Sequence, residues 1–189
     1  MMHEVTTTYL EMLSPGAFKP KPSPVKDVCV RKVEIPTPSL NHYFFVNVGK
    51  PWKWYSRLSW TLEDWQAWAE KKTVGTWMGR IKGSPFGYLE IERRGDDAEL
   101  SFFGLLPQFL GIGLGGFFLS EAIRIAWELN PKRVWVHTCT LDHPHALSNY
   151  LARGFSVYKK ETAQEQVPDD DDPLWCTPAY YQSLPEFCM

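Results

Sequence analysis

Apolar and polar positions alternate from Asp27 to Ile35, where Val28, Val30, Val33 and Ile35 predict a first strand that Pro36 and Pro38 end. A short helix is expected near Ser39 to Val46. Thr61 with Asp64 has the form of a capping box, and Leu62, Trp65, Trp68 and Ala69 recur at helical spacing, so Thr61 to Lys72 is predicted to be an amphipathic helix. Three strand patterns follow, Val74 to Ile81, Phe86 to Glu92 and Ala98 to Leu106, separated by Lys82-Gly83-Ser84-Pro85 and Arg93-Arg94-Gly95-Asp96-Asp97. Turn formers between such runs predict an antiparallel meander. Leu114 to Leu129 reads as a strongly apolar helix stopped by Asn130-Pro131. Arg133 to Thr140 then reads as a buried strand, His145 to Arg153 as a helix, and Phe155 to Lys160 as a last strand entered through Gly154.

Pro15, Pro20, Pro22 and Pro24 remove backbone donors from the stretch before Asp27, so residues 1–25 are expected to form an extended arm. Residues 26–162 are expected to be one domain, and 163–189 an acidic and aromatic tail containing four consecutive aspartates from Asp169 to Asp172.

Gly111-Ile112-Gly113-Leu114-Gly115-Gly116 matches the dinucleotide fingerprint G-x-G-x-x-G. A nicotinamide-dependent dehydrogenase is therefore one alternative. The antiparallel meander upstream, and the four residues between Leu106 and Gly111, argue against a doubly wound sheet. What both readings share is physical: glycines at a strand-to-helix transition let backbone amides approach an anion at a helix N-terminus. Close packing of the helix on the sheet would use glycine as well.

The run from Ala98-Glu99-Leu100 through Gln108, Gly111, Gly113 and Gly116 resembles the coenzyme-binding motif Q/R-x-x-G-x-G/A of the GNAT superfamily of N-acetyltransferases. Gly83-Ser84-Pro85-Phe86-Gly87-Tyr88 resembles the hairpin that this family places before its acidic strand. Leu141-Asp142-His143-Pro144 through Tyr150-Leu151-Ala152-Arg153-Gly154-Phe155 resembles its second half, N-P-x-A with L-Y-x-x-x-G-F. The resemblance implies a mixed α/β (α+β) fold: a central, twisted, mixed sheet flanked by helices, whose strands Ala98 to Leu106 and Arg133 to Thr140 splay apart to admit a pantetheine arm. It further implies acetyl-CoA as acyl donor, an amine as acceptor, and direct transfer in a ternary complex. The coenzyme would pair with the backbone of Leu105 and Leu106. Its pyrophosphate would meet the loop Gln108, Phe109, Leu110, Gly111, Ile112, Gly113 and Leu114, and His143 stands where the family often has a coenzyme-contacting asparagine. Family loops often carry Arg or Lys; Phe109, Leu110 and Ile112 are apolar, which leaves phosphate binding to backbone dipoles with Arg153 as a candidate helper.

Acyl transfer to an amine needs a base to free the nucleophile and a donor for the departing thiolate. The resemblance places Tyr150 as that acid, with Asn149 replacing the common leucine before it, and Glu99 as the base through a bridging water. His137, Asp142 and His143 are the alternative bases. A chain that binds coenzyme without turnover is the alternative function.

Composition narrows the partners. Hydrophobic residues make up 44% and charged residues 22%, as in a folded chain, and a net charge of -2 gives no bulk attraction to nucleic acid or anionic membrane. Cys29, Cys139, Cys176 and Cys188 form no C-x-x-C pair, and with no signal-peptide pattern or membrane-length apolar run a cytoplasmic protein is expected. His137, Cys139, His143 and His145 lack the spacing of a zinc site, so no metal is expected. A homodimer formed through the long arms is an open alternative. Six of nine tryptophans fall between Trp52 and Trp77, where they could wall an acceptor pocket or fill a core.

Overall fold

The computed structural model describes residues 2–175 and 179–182. Cys176 and Cys188 lie outside the described residues. Seven strands form one sheet: β1 (Met2–Met12), β2 (Val28–Lys32), β3 (Val74–Ile81), β4 (Ser84–Arg94), β5 (Asp97–Leu105), β6 (Arg133–Cys139) and β7 (Ser156–Gln166). Their spatial order is β2-β3-β4-β5-β6-β1-β7. The predicted meander is present as β3, β4 and β5. Among the described residues only β5 and β6 pair in parallel, which excludes the doubly wound sheet required by the dehydrogenase alternative.

Helices cover both faces. Against one lies α3 (Leu114–Glu128), whose Phe118, Leu119, Ala122 and Ile123 pack with Leu10, Met12, Phe86, Leu89, Ile91, Leu100 and Val136. The other face carries α1 (Pro38–Gly49) and α2 (Leu62–Ala69), which bring Phe44, Phe45 and Trp65 over Tyr88 and Phe102. The capping box at Thr61 is formed in both directions, Asp64 N–H donating to Thr61 Oγ1 and Thr61 N–H to Asp64 Oδ2. A short α4 (Ala146–Ala152) follows β6. Among the described residues no helix is long and apolar enough to cross a membrane.

The N-terminal segment differs from the expected arm. Met2–Met12 is β1, inserted antiparallel between β6 and β7, with Val5, Leu10 and Met12 buried. Its signal was a run of β-formers, Val5-Thr6-Thr7-Thr8-Tyr9-Leu10, in which threonines replace the apolar half of the alternation. Only the proline-rich stretch after Leu13 is irregular, apart from one helical turn at Pro15–Ala17. At the other end β7 continues to Gln166, past Lys160 and past the domain limit drawn at residue 162, because β1 gives it a partner along its whole length. Trp175 and Tyr180 of the tail are buried, the former among Phe45, Leu58 and Trp65.

The tryptophan cluster divides. Trp60, Trp65, Trp68 and Phe102 surround the guanidinium of Arg57, with ring centroids 4.1 to 5.6 Å from its Cζ. Arg57 Nη1 is 2.8 Å from Glu90 Oε2, and neither side chain is more than 6% exposed. Trp68 Nε1 donates to the same oxygen, and Asn41 Nδ2 donates to Glu90 Oε1 and Thr76 Oγ1. A buried charge pair is tolerated only when its remaining hydrogen-bonding capacity is met, and these residues meet it. These aromatics are core. Trp52 and Trp54 instead line the cleft described next.

Candidate active site

Two features of β5 open the sheet. Glu90 pairs with Phe102 and Ile91 with Leu100, so Ser101 is an extra residue, a bulge that turns Leu100 toward α3 and Phe102 toward α1. On its other edge β5 pairs with β6 for three residues only, Asp97 to Glu99 against Arg133 to Trp135. Beyond Glu99 and Trp135 the strands part, leaving a V with a cavity of about 1000 Å³. The expected splay is thus present.

The first turn of α3 forms one side of the cavity. The chain leaves β5 through a helical turn at Pro107–Phe109, in which Phe109 N–H and Leu110 N–H donate to Leu106 O and Pro107 O. Gly111 and Gly113 then take φ of +78° and +82°, and Gly113 caps α3. A helix leaves its first N–H groups without internal acceptors, so the amides free for an anion are those that follow Leu110. Leu105, Leu110, Gly111 and Gly113 line the cavity, joined by Gly115 and Gly116. Gln108 is exposed, Phe109 packs on Phe86, Leu114 is buried in the core and Ile112 is 46% exposed. Leu106 N–H is held by Phe86 O.

Across the V stand the proposed chemical groups. Tyr150, on α4, lines the cavity and is 7% exposed; burial, with Asp142 nearby, pushes its phenol well above the ordinary value. Glu99 lies at the apex, 3% exposed and off the cavity wall. Burial raises its carboxyl to about 7 against the pull of Arg94, whose Nε is 2.8 Å from Glu99 Oε2 but 2.7 Å from Glu92 Oε2 as well. His137, on β6, does line the cavity, with Nδ1 3.7 Å from Glu99 Oε1. It is 45% exposed between the rings of Tyr9 and Trp135, and partial desolvation holds its imidazole below the ordinary value.

Asp142, an alternative base, accepts from Thr138 Oγ1 and Cys139 N–H through Oδ2 and from Trp54 Nε1 through Oδ1. It staples the turn after β6 to the Trp54 loop. His143 lines the cavity, its Nδ1 accepting from His145 N–H and its ring 4.8 Å from Trp52. His137, Cys139, His143 and His145 all border the cavity, but among the described residues no three potential metal ligands converge. Val5, Thr7 and Tyr9 of β1 complete the floor. The sequence reading omitted these three because it left β1 out of the sheet.

The profile of the Acetyltransferase (GNAT) family matches residues 39–155, more than half of the chain. The chain belongs to the GNAT acetyltransferase family. Solved GNAT structures share its fold at low identity. A GCN5-related N-acetyltransferase from Kribbella flavida superposes with a TM-score of 0.58 at 16% identity, over 82% of this chain and 56% of the other. A GNAT-family acetyltransferase from Novosphingobium aromaticivorans gives 0.59 at 14%, over 86% and 64%. The ribosomal-protein-S18-alanine N-acetyltransferase from Escherichia coli gives 0.54 at 13%, over 68% and 77%. The chain spans about half to two thirds of the length of the first two. No curated protein matches.

Proposed function

We propose that this chain is an N-acetyltransferase that moves an acetyl group from acetyl-CoA to an amine. The observation that carries the reading is the V between β5 and β6, which joins the glycine turn of α3 to Tyr150 through one continuous cavity. Pantetheine fits along the open edge of β5 near Leu105, and the pyrophosphate fits against the amides from Gly111 into α3. The acceptor enters from the side of Trp52, Trp54 and Tyr55.

The attacking nitrogen must first lose a proton, since an alkylammonium titrates near 10, like lysine. His137 is the group that can touch it. A neutral imidazole receives the proton, and Glu99 behind it, near neutrality itself, takes up the charge; the 3.7 Å between them closes when the ring becomes cationic. The nitrogen then bonds to the thioester carbon and the C–S bond breaks; Tyr150 donates its phenolic proton to the leaving sulfur and takes back the second proton that the nitrogen sheds as the amide forms, while His137 releases its proton to water. Products are the acetylated amine and coenzyme A thiol. Glu99 is therefore a positioning and charge-accepting residue, and Tyr150 and His137 are the catalytic ones.

Acetyl-CoA should raise the melting temperature of the protein, and a mixed panel of amines and peptides should then release free thiol. Stabilisation without thiol release from any amine would favour a coenzyme-binding module, and no stabilisation would end the proposal.

A further inference from the structure

The segment between β1 and β2 crosses back over the N-terminal end of α3 and is fastened there. Lys19 N–H donates to Arg153 O at 3.0 Å, and Lys21 N–H donates to Ser120 Oγ at 2.8 Å. Ser120 is 3% exposed and in turn donates to Gly116 O, so the anchor is tied into the helix itself. Pro24 passes Gly113, its Cγ 3.3 Å from where a Cβ would stand. This strap brings one cation into the cleft. The Lys21 side chain lies along Gly116, Cδ 2.7 Å from the position of an added Cβ, and Arg153 Nη1 is also 2.7 Å from that position. Both residues line the cavity. Arg153 Nε is buried without a hydrogen-bond partner, and among the described residues no carboxylate forms an ion pair with either side chain.

Two like charges brought together without a counter-ion repel each other, an arrangement that an anionic ligand relieves. The loop Gln108 to Gly113 carries no Arg or Lys of its own. We propose that Lys21 is a phosphate-binding residue of the coenzyme site, delivered by the strap and acting with Arg153. Lys21 lies outside the region matched by the family model, residues 39–155. The inference rests on the reading of the cleft as an acetyl-CoA site. Its chemistry is that of a phosphate ester, and coenzyme A offers two sources, the pyrophosphate and the 3′-phosphate.

The test is isothermal titration of coenzyme A and of dephospho-coenzyme A, which lacks the 3′-phosphate, into wild-type protein, Lys21→Met and Lys21→Arg. Methionine keeps the aliphatic packing on Gly116 and the backbone bond to Ser120, and the unliganded melting temperature checks that the strap stays in place. Lys21→Met should weaken coenzyme A binding about tenfold, the loss of one charge-assisted contact, and Lys21→Arg should restore most of it. The deficit should narrow between about 50 mM and about 500 mM salt, where charges become screened. A deficit with both ligands places Lys21 on the pyrophosphate, and one confined to coenzyme A places it on the 3′-phosphate. Binding by Lys21→Met within twofold of wild type for both ligands, or a deficit indifferent to salt, overturns the proposal while leaving the coenzyme site intact. A wild-type protein that binds neither ligand overturns both.

Discussion

Tyr150 and Glu99 are both buried acids, and burial raises the pKa of both, with different consequences. The phenol, pushed well above its usual range by burial, keeps its proton near neutral pH, as a donor to a thiolate must. Tyr150→Phe should lower kcat by about a hundredfold, the lower end for loss of a general acid, with the coenzyme dissociation constant unchanged. Equal turnover at saturating substrates would remove Tyr150 from the mechanism. Glu99, raised from 4.5 to about 7, changes state within the working range. Between those values the folded chain keeps a proton that the unfolded chain has released, so stability present below pH 4.5 drains away as pH rises toward 7. Activity should move the other way, kcat rising through about 7 as Glu99 becomes able to accept charge from His137. Glu99→Gln should flatten both profiles across this window, measured by denaturant titration and by initial rates with acceptor saturating. An unaltered rate profile would exclude Glu99.

At the scale of elements, the tryptophan-rich stretch before β3 serves mainly to bury one charge. Arg57 is held among Trp60, Trp65, Trp68 and Phe102 and paired with fully buried Glu90. Replacing it with alanine leaves Glu90 charged in the core beneath α1 and α2, which costs about 3–5 kcal/mol. Arg57→Ala should lower the free energy of urea unfolding by that amount, and a loss below about 1 kcal/mol would mean that solvent reaches Glu90. Periodicity revealed α2, the meander and α3, because each carries its own hydrophobic stripe or turn signals. It could not reveal the Arg57 cage, whose members come from α2, the loop before it and β5. The same limit applies at the catalytic apex. Glu99 and Tyr150 were named by motif, but the placing of His137 between Glu99 and the cleft depends on β5 and β6 pairing for three residues and then parting. The glycine motif was legible at Gly111, Gly113 and Gly116, but the passage of the strap across Gly116, with Lys21 Cδ 2.7 Å from the position of an added Cβ, was not.

The whole molecule is closed by its own N-terminus. β1 pairs with β6 from Thr7 to Met12 and with β7 from Met2 to Glu11, so without it the last strand has no neighbour. It also supplies Val5, Thr7 and Tyr9 to the cavity floor and tethers the strap that carries Lys21. Burial of Val5, Leu10 and Met12 contributes about 1.5–3 kcal/mol each, together comparable to the total stability of an ordinary domain, about 5–15 kcal/mol. Deleting residues 1–12 should therefore abolish cooperative thermal unfolding and near-ultraviolet circular dichroism, and coenzyme binding with them. Because the deleted segment is a single strand held by backbone pairing and three apolar side chains, a synthetic peptide of residues 2–12 added in trans should recover part of the signal in a concentration-dependent way. A truncated chain that melts cooperatively at the wild-type temperature would show that β6 and β7 can pair directly, and that β1 is an ornament of the sheet instead of its keystone.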